Sequence, residues 1–345
     1  MAAATLDAYL NTFTSGNDPV KIQIAETIRA FAAAAVLVRK SINEGALGAA
    51  FAGTRGSANA GGDTQKELDV HADNLFLEGA RKAGIAYYAS EELANPVAIN
   101  PDSKVAVAID PLDGSSNIDT NVSIGTIFSI LPCKEDAAAT FSQPGTEQLA
   151  AGFFIYGPQM ALVLTKRNGT RIFVFSSRLG TFVEAYPAVA IPPIAGEFAI
   201  NTSNYRHWDE PTRLYIDDCL AGTDGPREKD FNMRWIASLV ADTYRILIRG
   251  GVFLYPRDNR KGYSQGRLRL VYEANPIALL IEEAGGMATD GIHRILEIEP
   301  GDVHQRTPLV FGSKKEVEKI ARYLTNPSAI GTRHPLFTNR GLFRA

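Results

Sequence analysis

Cysteine is scarce: 345 residues contain two, Cys133 and Cys219. That excludes a small scaffold stapled by disulfides and fits a reducing, cytoplasmic setting. An excess of one charge is missing too, with 35 Lys and Arg against 38 Asp and Glu, a net −3. No global field draws the chain to nucleic acid or to an anionic membrane, so neither partner is expected. Long apolar runs are absent as well. The most prominent early one, Ala30 to Val38, is bounded by Arg29 and Arg39. It lies too deep for a signal peptide and falls far short of the roughly 20 residues a span needs. The histidines His71, His207, His293, His304 and His334 form no HxxxH pair and no cluster with cysteine, which argues against zinc. Neither cysteine has an arginine six residues on, so there is no cysteine-phosphatase loop. The glycine-rich stretch 53–62 lacks a following Gly-Lys-Ser/Thr, and no GxGxxG turn occurs.

What is present is ordinary for a water-soluble globular chain, with 45% hydrophobic and 21% charged residues. At about 150 residues per domain, two domains or one large one are expected. Asp18-Pro19 opens a predicted long helix whose apolar face carries Ile24, Ile28, Phe31, Ala35 and Val38. Phe51 to Asp63, rich in Gly, Ala and Ser, reads as a mobile loop, and a helix follows over Leu68–Lys82. Val105–Ile109 is a short apolar run, the mark of a strand buried on both faces. Runs at Ile127–Leu131, Phe153–Tyr156, Ala161–Thr165 and Arg171–Phe175, the last two joined through Asn168-Gly169, predict an antiparallel meander. The proline-rich segment Pro187 to Gly196 is the expected hinge between halves 1–193 and 194–345. Beyond it a helix is predicted over Met233–Arg249 and strands over Val252–Tyr255, Leu268–Tyr272 and Pro308–Phe311. Asn275-Pro276 is expected to cap a helix running to Gly285, and Ser313-Lys314-Lys315-Glu316 reads as a capping box. The fold class is α/β, with mixed sheets and helices packed against them.

The segment richest in chemistry is DPLDGSSNID, Asp110–Asp119. Its first two carboxylates follow a buried strand, where open α/β sheets bind ligands. Gly114, Ser115 and Ser116 offer successive N–H groups at a turn, which suits a phosphate. Acid beside phosphate is repulsive unless a cation intervenes, and an all-oxygen set favours Mg²⁺ or Mn²⁺ over zinc. The plain alternative is a polar surface turn. Ser90-Glu91-Glu92 reads equally as a helix N-cap, Asp63 and Asp69 as a solvated face, and Glu273 as a first-turn acid ending the strand 268–272. Arg257, Arg260, Lys261, Arg267 and Arg269 interleave with Tyr255 and Tyr263. That set suits phosphate or sugar recognition, or simply a solvated loop.

Taken together, these segments resemble the class I fructose-1,6-bisphosphatases. DPLDGSSNID runs into NVSIGTIFSI at 121–130, and the likeness continues nearly end to end. It takes in GDTQKELD at 62–69, SEE at 90–92, AAGFFIYG at 150–157, SLVAD at 238–242, GGVFLYP at 250–256, LRLVYEANPIALLIEEAGG at 268–286 and HQR at 304–306. Ser115 in place of a threonine and Glu273 in place of an aspartate favour this branch over inositol monophosphatases. The resemblance implies a layered α-β-α-β-α sandwich of the sugar phosphatase and inositol monophosphatase superfamily, commonly a homotetramer. It implies Mg²⁺-dependent removal of the 1-phosphate of fructose 1,6-bisphosphate in gluconeogenesis, with two or more ions per site and Mn²⁺ as a substitute. Sedoheptulose 1,7-bisphosphate is the alternative substrate.

By position in the motifs, Glu91, Asp110, Asp113, Glu273 and the Leu112 carbonyl would ligate metal. Glu92, with Asp69 and Asp63, would position and deprotonate the attacking water. Asp113, Gly114, Ser115 and Ser116 would hold the 1-phosphate. Asn201, Tyr205, Trp235, Tyr255 and Arg267 would hold the sugar and its 6-phosphate, with Arg234 reaching in from a neighbouring subunit. Two departures change the donors of that second pocket: Trp235 stands where a tyrosine is usual, and Arg267 where a lysine is usual. The nucleotide site of regulated members is eroded. Lys104 remains, but Val105 and Pro132 replace a common tyrosine and arginine, so inhibition by AMP is expected to be weak or absent.

Overall fold

The computed structural model describes residues 4–44, 54–58 and 64–326. Asp63 and most of the glycine-rich stretch lie outside them. Helix α1 (Leu6–Phe13) leads to α2 (Pro19–Glu44), the predicted long helix, and the Asp18 carboxylate accepts the Val20 N–H at its start. Within the stretch read as a loop, Thr54–Ala58 (β1) pairs antiparallel with Thr64–Lys66 (β2), so part of it is laddered rather than open. Helix α3 (Glu67–Ala83) follows, packed against α2.

One sheet dominates. It contains β3 (Tyr87–Ser90), β4 (Val97–Ala98), β5 (Val105–Asp113), β6 (Ile124–Pro132), β7 (Ala150–Tyr156), β8 (Met160–Thr165), β9 (Thr170–Ser176) and β10 (Thr181–Tyr186). Its order is β10-β9-β8-β7-β6-β5-β3-β4, antiparallel throughout except for β3 beside β5. The four predicted runs are β6 to β9, and β10 extends the meander by one more strand. At the Asn168-Gly169 turn the reversal uses left-handed backbone at Arg167 (φ 60°) and Gly169 (φ 86°).

The second half supplies β11 (Glu197–Ala199), α4 (Glu210–Leu220), β12 (Asn232–Met233), α5 (Leu239–Arg249), β13 (Val252–Tyr255), β14 (Leu268–Arg269), α6 (Asn275–Glu283), β15 (Met287–Thr289), β16 (Arg306–Thr307), β17 (Leu309–Gly312) and α7 (Lys314–Thr325). A five-stranded sheet runs β12-β11-β13-β17-β15. Three apolar layers glue the sandwich together. Phe31, Phe76, Phe128 and Phe154 bind α2 and α3 to the outer face of the large sheet. Leu239, Ile246, Ile277, Ile281, Phe153, Phe253 and Phe311 fill the space where α5 and α6 lie between the two sheets. Phe198, Tyr215, Val317 and Ile320 hold α4 and α7 on the far face of the small sheet. The result is the expected α-β-α-β-α stack. No described helix is long and apolar enough to cross a membrane.

Three local expectations are corrected. The helix predicted from Met233 begins at Leu239: Ala237 takes a left-handed φ of 64° and Ser238 caps the helix through the Ala241 N–H. Asn275 caps nothing, because α6 grows directly out of a helical turn before it. The capping box at Ser313 does not form either. Its hydroxyl accepts the Gly251 N–H at 3.1 Å, while Glu316 pairs with Arg227.

Candidate active site

All nine residues of β5 are buried, so its carboxyl end is delivered to the middle of the molecule. Asp110 and Asp113 are three apart, and in a regular strand they would face opposite ways. The ladder with β6 shifts register between them: Asp110 faces Ile127 and Asp113 faces Gly125. That bulge restores the parity and brings both carboxylates to one side. Pro111, which has no N–H, sits inside the bulge, and its carbonyl accepts the Thr126 hydroxyl at 2.8 Å. Asp110 in turn accepts the Leu112 N–H at 3.0 Å.

Glu273 joins them from an unexpected element. The predicted strand 268–272 lasts only two residues, Leu268–Arg269, and then becomes a π-helical turn, Leu270–Ala274. The Glu273 carboxylate accepts the Arg269 N–H at 2.5 Å, which folds the acid inward. Carboxylate oxygens of Asp110, Asp113 and Glu273 lie within 4.8 Å of one another, and all three residues are buried. Two like charges at 4.8 Å repel by about 3.5 kcal/mol at an effective dielectric of about 20. Burial, reinforced by Glu91, Asp113 and Glu273, pushes the Asp110 carboxyl well above its ordinary range. Burial likewise pushes Asp113 up to about 7, against the pull of N–H groups from Val240 and Leu239. An all-oxygen, buried set of this kind fits a hard divalent cation, whose charge would return every carboxyl to its ionised form.

Glu91 and Glu92 do not cap a helix. They follow β3, and the Glu91 N–H donates to the Ile109 carbonyl at 3.1 Å, beside β5. Glu91 lies 3.4 Å from the Arg269 guanidinium and raises the carboxyls of both Asp110 and Asp113. The Glu92 N–H is held by Ser90 Oγ at 3.2 Å. Asp69 is buried on α3, one turn before Asp73, whose carboxylate takes the Tyr88 hydroxyl at 2.8 Å and bonds Ser90. Glycine is required at 114, where φ is 76° as the chain enters the short 3₁₀ turn Ser115–Thr120. Asn117 ties that turn to the Ala237 carbonyl at 2.7 Å, joining it to the segment before α5.

The second-half candidates fall into two groups. Asn201 and Tyr255 line one cleft with Asn204, Trp208, Pro256 and Asp258. Trp235 stacks on Phe253 at 5.6 Å and leans on Tyr255 at 6.1 Å. Burial raises the Tyr255 phenol, with Arg267 pulling it down and Tyr263 and Glu273 adding to the rise. Arg267 donates to the Tyr263 hydroxyl at 2.5 Å. The Tyr205 ring packs on the cleft's Trp208 at 5.7 Å, but its hydroxyl turns to both Asp217 oxygens at 3.0 and 2.9 Å. Arg234 is half-exposed, with Nε 3.9 Å from Glu197.

Several contributors lie in the quoted segments but were not singled out there. Val240 supplies a backbone N–H at 3.1 Å to Asp113, an atom every residue has. Tyr272 and His304 bond at 2.9 Å behind Glu273. Gly262 to Gly266 spells GxSxG, but the segment is an irregular loop after β13, not the strand-to-helix elbow that would expose a serine nucleophile.

Stacked sheets and helices, with a buried acid nest at the end of a central strand beside a left-handed glycine turn, define a metal-binding phosphatase. Family models for "Fructose-1-6-bisphosphatase, N-terminal domain" and "Fructose-1-6-bisphosphatase, C-terminal domain" match residues 15–187 and 191–325. The chain is 63% identical to the class 1 fructose-1,6-bisphosphatase of Rhizobium meliloti (strain 1021) over the whole of both chains. With that of Azorhizobium caulinodans it shares 54% over 94% of this chain and all of the relative. The holo-form crystal structure of Leishmania major fructose-1,6-bisphosphatase superposes with a TM-score of 0.86 at 31% identity, covering 94% of this chain and 99% of that one. The chain belongs to the class 1 fructose-1,6-bisphosphatase family.

Proposed function

We infer that the chain hydrolyses the 1-phosphate ester of fructose 1,6-bisphosphate, giving fructose 6-phosphate and inorganic phosphate in carbohydrate synthesis. The observation that carries this reading is the buried nest of Asp110, Asp113 and Glu273 in a chain of this family. Mg²⁺, two or more ions with Mn²⁺ as a substitute, would be held by those three, Glu91 and the Leu112 carbonyl. When bound, the cation neutralises the ester phosphate against the acids and makes water a nucleophile at neutral pH.

The remaining work falls to side chains. Glu92, supported by Asp69 and Asp63, orients the attacking water and takes its proton. Asp113, Gly114, Ser115 and Ser116 seat the 1-phosphate, so that the reaction needs positioning rather than a covalent intermediate. Asn201, Tyr205, Trp235, Tyr255 and Arg267 hold the sugar and its far phosphate. Arg234, half-exposed at the small sheet's edge, is available to a neighbouring copy in a homotetramer. The chain divides functionally at 193/194 into a metal-bearing half and a sugar-binding half, with Glu273 crossing back to the first. Both cysteines are free thiols, which suits the cytoplasm.

Phosphate release with Mg²⁺, followed by identification of the sugar product, tests this reading. Fructose 6-phosphate is expected, with a higher kcat/KM for fructose 1,6-bisphosphate than for sedoheptulose 1,7-bisphosphate. Release of the 6-phosphate, or no release with Mg²⁺ present, rules the assignment out.

A further inference from the structure

We propose that Tyr263 is a positioning residue that sets the Arg267 guanidinium for the substrate's distal phosphate, a role that rests on the function proposed above. The loop between β13 and β14 is held firmly around this tyrosine. The Tyr263 carbonyl accepts from the Asp258 N–H at 3.3 Å and the Gly266 N–H at 3.0 Å, and its own N–H donates to the Arg260 carbonyl at 3.0 Å. Gly266 sits at φ 80° hard against Thr307 and Pro308, where a Cβ has no room, so the loop's exit is pinned to β16.

Two guanidiniums share the Tyr263 ring, Arg260 at 4.0 Å and Arg267 at 4.7 Å from its centroid. They are treated differently. Arg260 is clamped by the buried Asp258 carboxylate, through Nε at 3.0 and 3.1 Å and a second nitrogen at 2.5 Å. Arg267 instead donates Nη1 to the Tyr263 hydroxyl at 2.5 Å. A phenol is a neutral acceptor: it orients the guanidinium without itself cancelling the charge. The bond fixes the tilt of the planar guanidinium, and an arginine so oriented is suited to a bidentate grip on a phosphate dianion. Arg269, two residues on, turns to Glu91 at the acid nest, while the Tyr255 phenol, which lines the cleft with Asn201 and Asp258, feels the charges of both Arg267 and Glu273. Tyr263 and Arg267 thus stand in the loop that leaves β13 after Tyr255 and enters β14, whose Arg269 meets Glu91.

The test uses the Mg²⁺-loaded enzyme and the variants Tyr263→Phe, Arg267→Ala and the double variant. Tyr263→Phe keeps the ring under both cations and removes only the hydroxyl. It is expected to raise KM for fructose 1,6-bisphosphate by about fivefold, with kcat within about twofold and the melting temperature unchanged. Competitive inhibition by fructose 6-phosphate should weaken by a similar factor. In the Arg267→Ala background the same change should add nothing, because its effect passes through Arg267. An unaltered KM in Tyr263→Phe, or an equal shift with and without Arg267, overturns the proposal. An unaltered KM in Arg267→Ala instead sinks the phosphate-binding reading on which it rests.

Discussion

The Val240 N–H donates to Asp113 Oδ2 at 3.1 Å, so the first turn of α5 is bonded to the metal-nest carboxylate at the end of β5. The approach depends on Gly125, directly across the ladder from Asp113. A Cβ there would strike the Phe154 carbonyl oxygen and lie 2.6 Å from Val240 Cγ2. Gly125→Ala is therefore expected to push α5 away from β6. A loss of at least about 1–3 kcal/mol in urea unfolding is expected from such overpacking, together with weakened Mg²⁺ activation. Wild-type values on both counts would show that the close approach is dispensable.

The metal-free chain should lose stability as pH rises. Unfolded aspartate titrates near 3.8, whereas folded Asp113 titrates at about 7 and Asp110 well above its ordinary range. Between those limits the folded state holds more protons than the unfolded one, so unfolding free energy falls as pH rises through about 7. In chelator, melting temperature should drop from about pH 5 to about pH 8, and the gain on adding Mg²⁺ should grow over the same range. A flat profile in chelator would mean that burial does not hold protons on Asp110 and Asp113.

Asp113→Asn separates stability from function. The amide oxygen can still accept the Val240 N–H, while one buried charge of the nest is removed. The variant is expected to melt higher than wild type in chelator at neutral pH, to gain less from Mg²⁺, and to release no phosphate. Activity in this variant would remove Asp113 from the mechanism.

Arg227 and Glu316 form a salt bridge at 2.5 Å with side chains only 4% and 6% exposed, joining the segment after α4 to α7. Glu316→Ala strands the arginine charge in the core, and a cost of about 3–5 kcal/mol is expected. KM and kcat in the surviving folded enzyme should be unchanged, since neither residue approaches the cleft. Urea unfolding beside steady-state kinetics checks both halves of that statement.

AMP should inhibit weakly or not at all. Val105 is fully buried opposite Pro132 on the β5–β6 ladder, and the Lys104 carbonyl is taken by the Cys133 N–H at 2.9 Å. Neither apolar residue offers a donor to a nucleotide. An AMP titration of the Mg²⁺ enzyme reads this directly, and submicromolar inhibition would contradict it.

Elements whose own residues settle their conformation were legible in the sequence. The unbroken apolar run of β5 has no other stable home than a sheet buried on both faces, and the meander announced itself through successive strand-like runs and Asn168-Gly169. Elements decided by a distant competitor were not. Val271 is β-branched and Tyr272 aromatic, yet the grip of Glu273 on the Arg269 N–H coils the segment into a π turn. Ser313 has the neighbours of a capping box, but the Gly251 N–H claims its hydroxyl. The acids of the nest were visible as residue types. Their convergence depended on a bulge that reverses the facing of Asp113 and on β3 lying parallel to β5 beside Glu91.

Calorimetric titration of Mg²⁺ or Mn²⁺ into chelator-stripped protein near pH 6 reads the nest most directly. Saturable binding with release of protons is predicted, because ions must displace the protons that burial and neighbouring acids hold on Asp110 and Asp113. The triple variant Asp110→Asn, Asp113→Asn, Glu273→Gln should give neither heat nor protons. Equal binding by the folded triple variant would contradict the account.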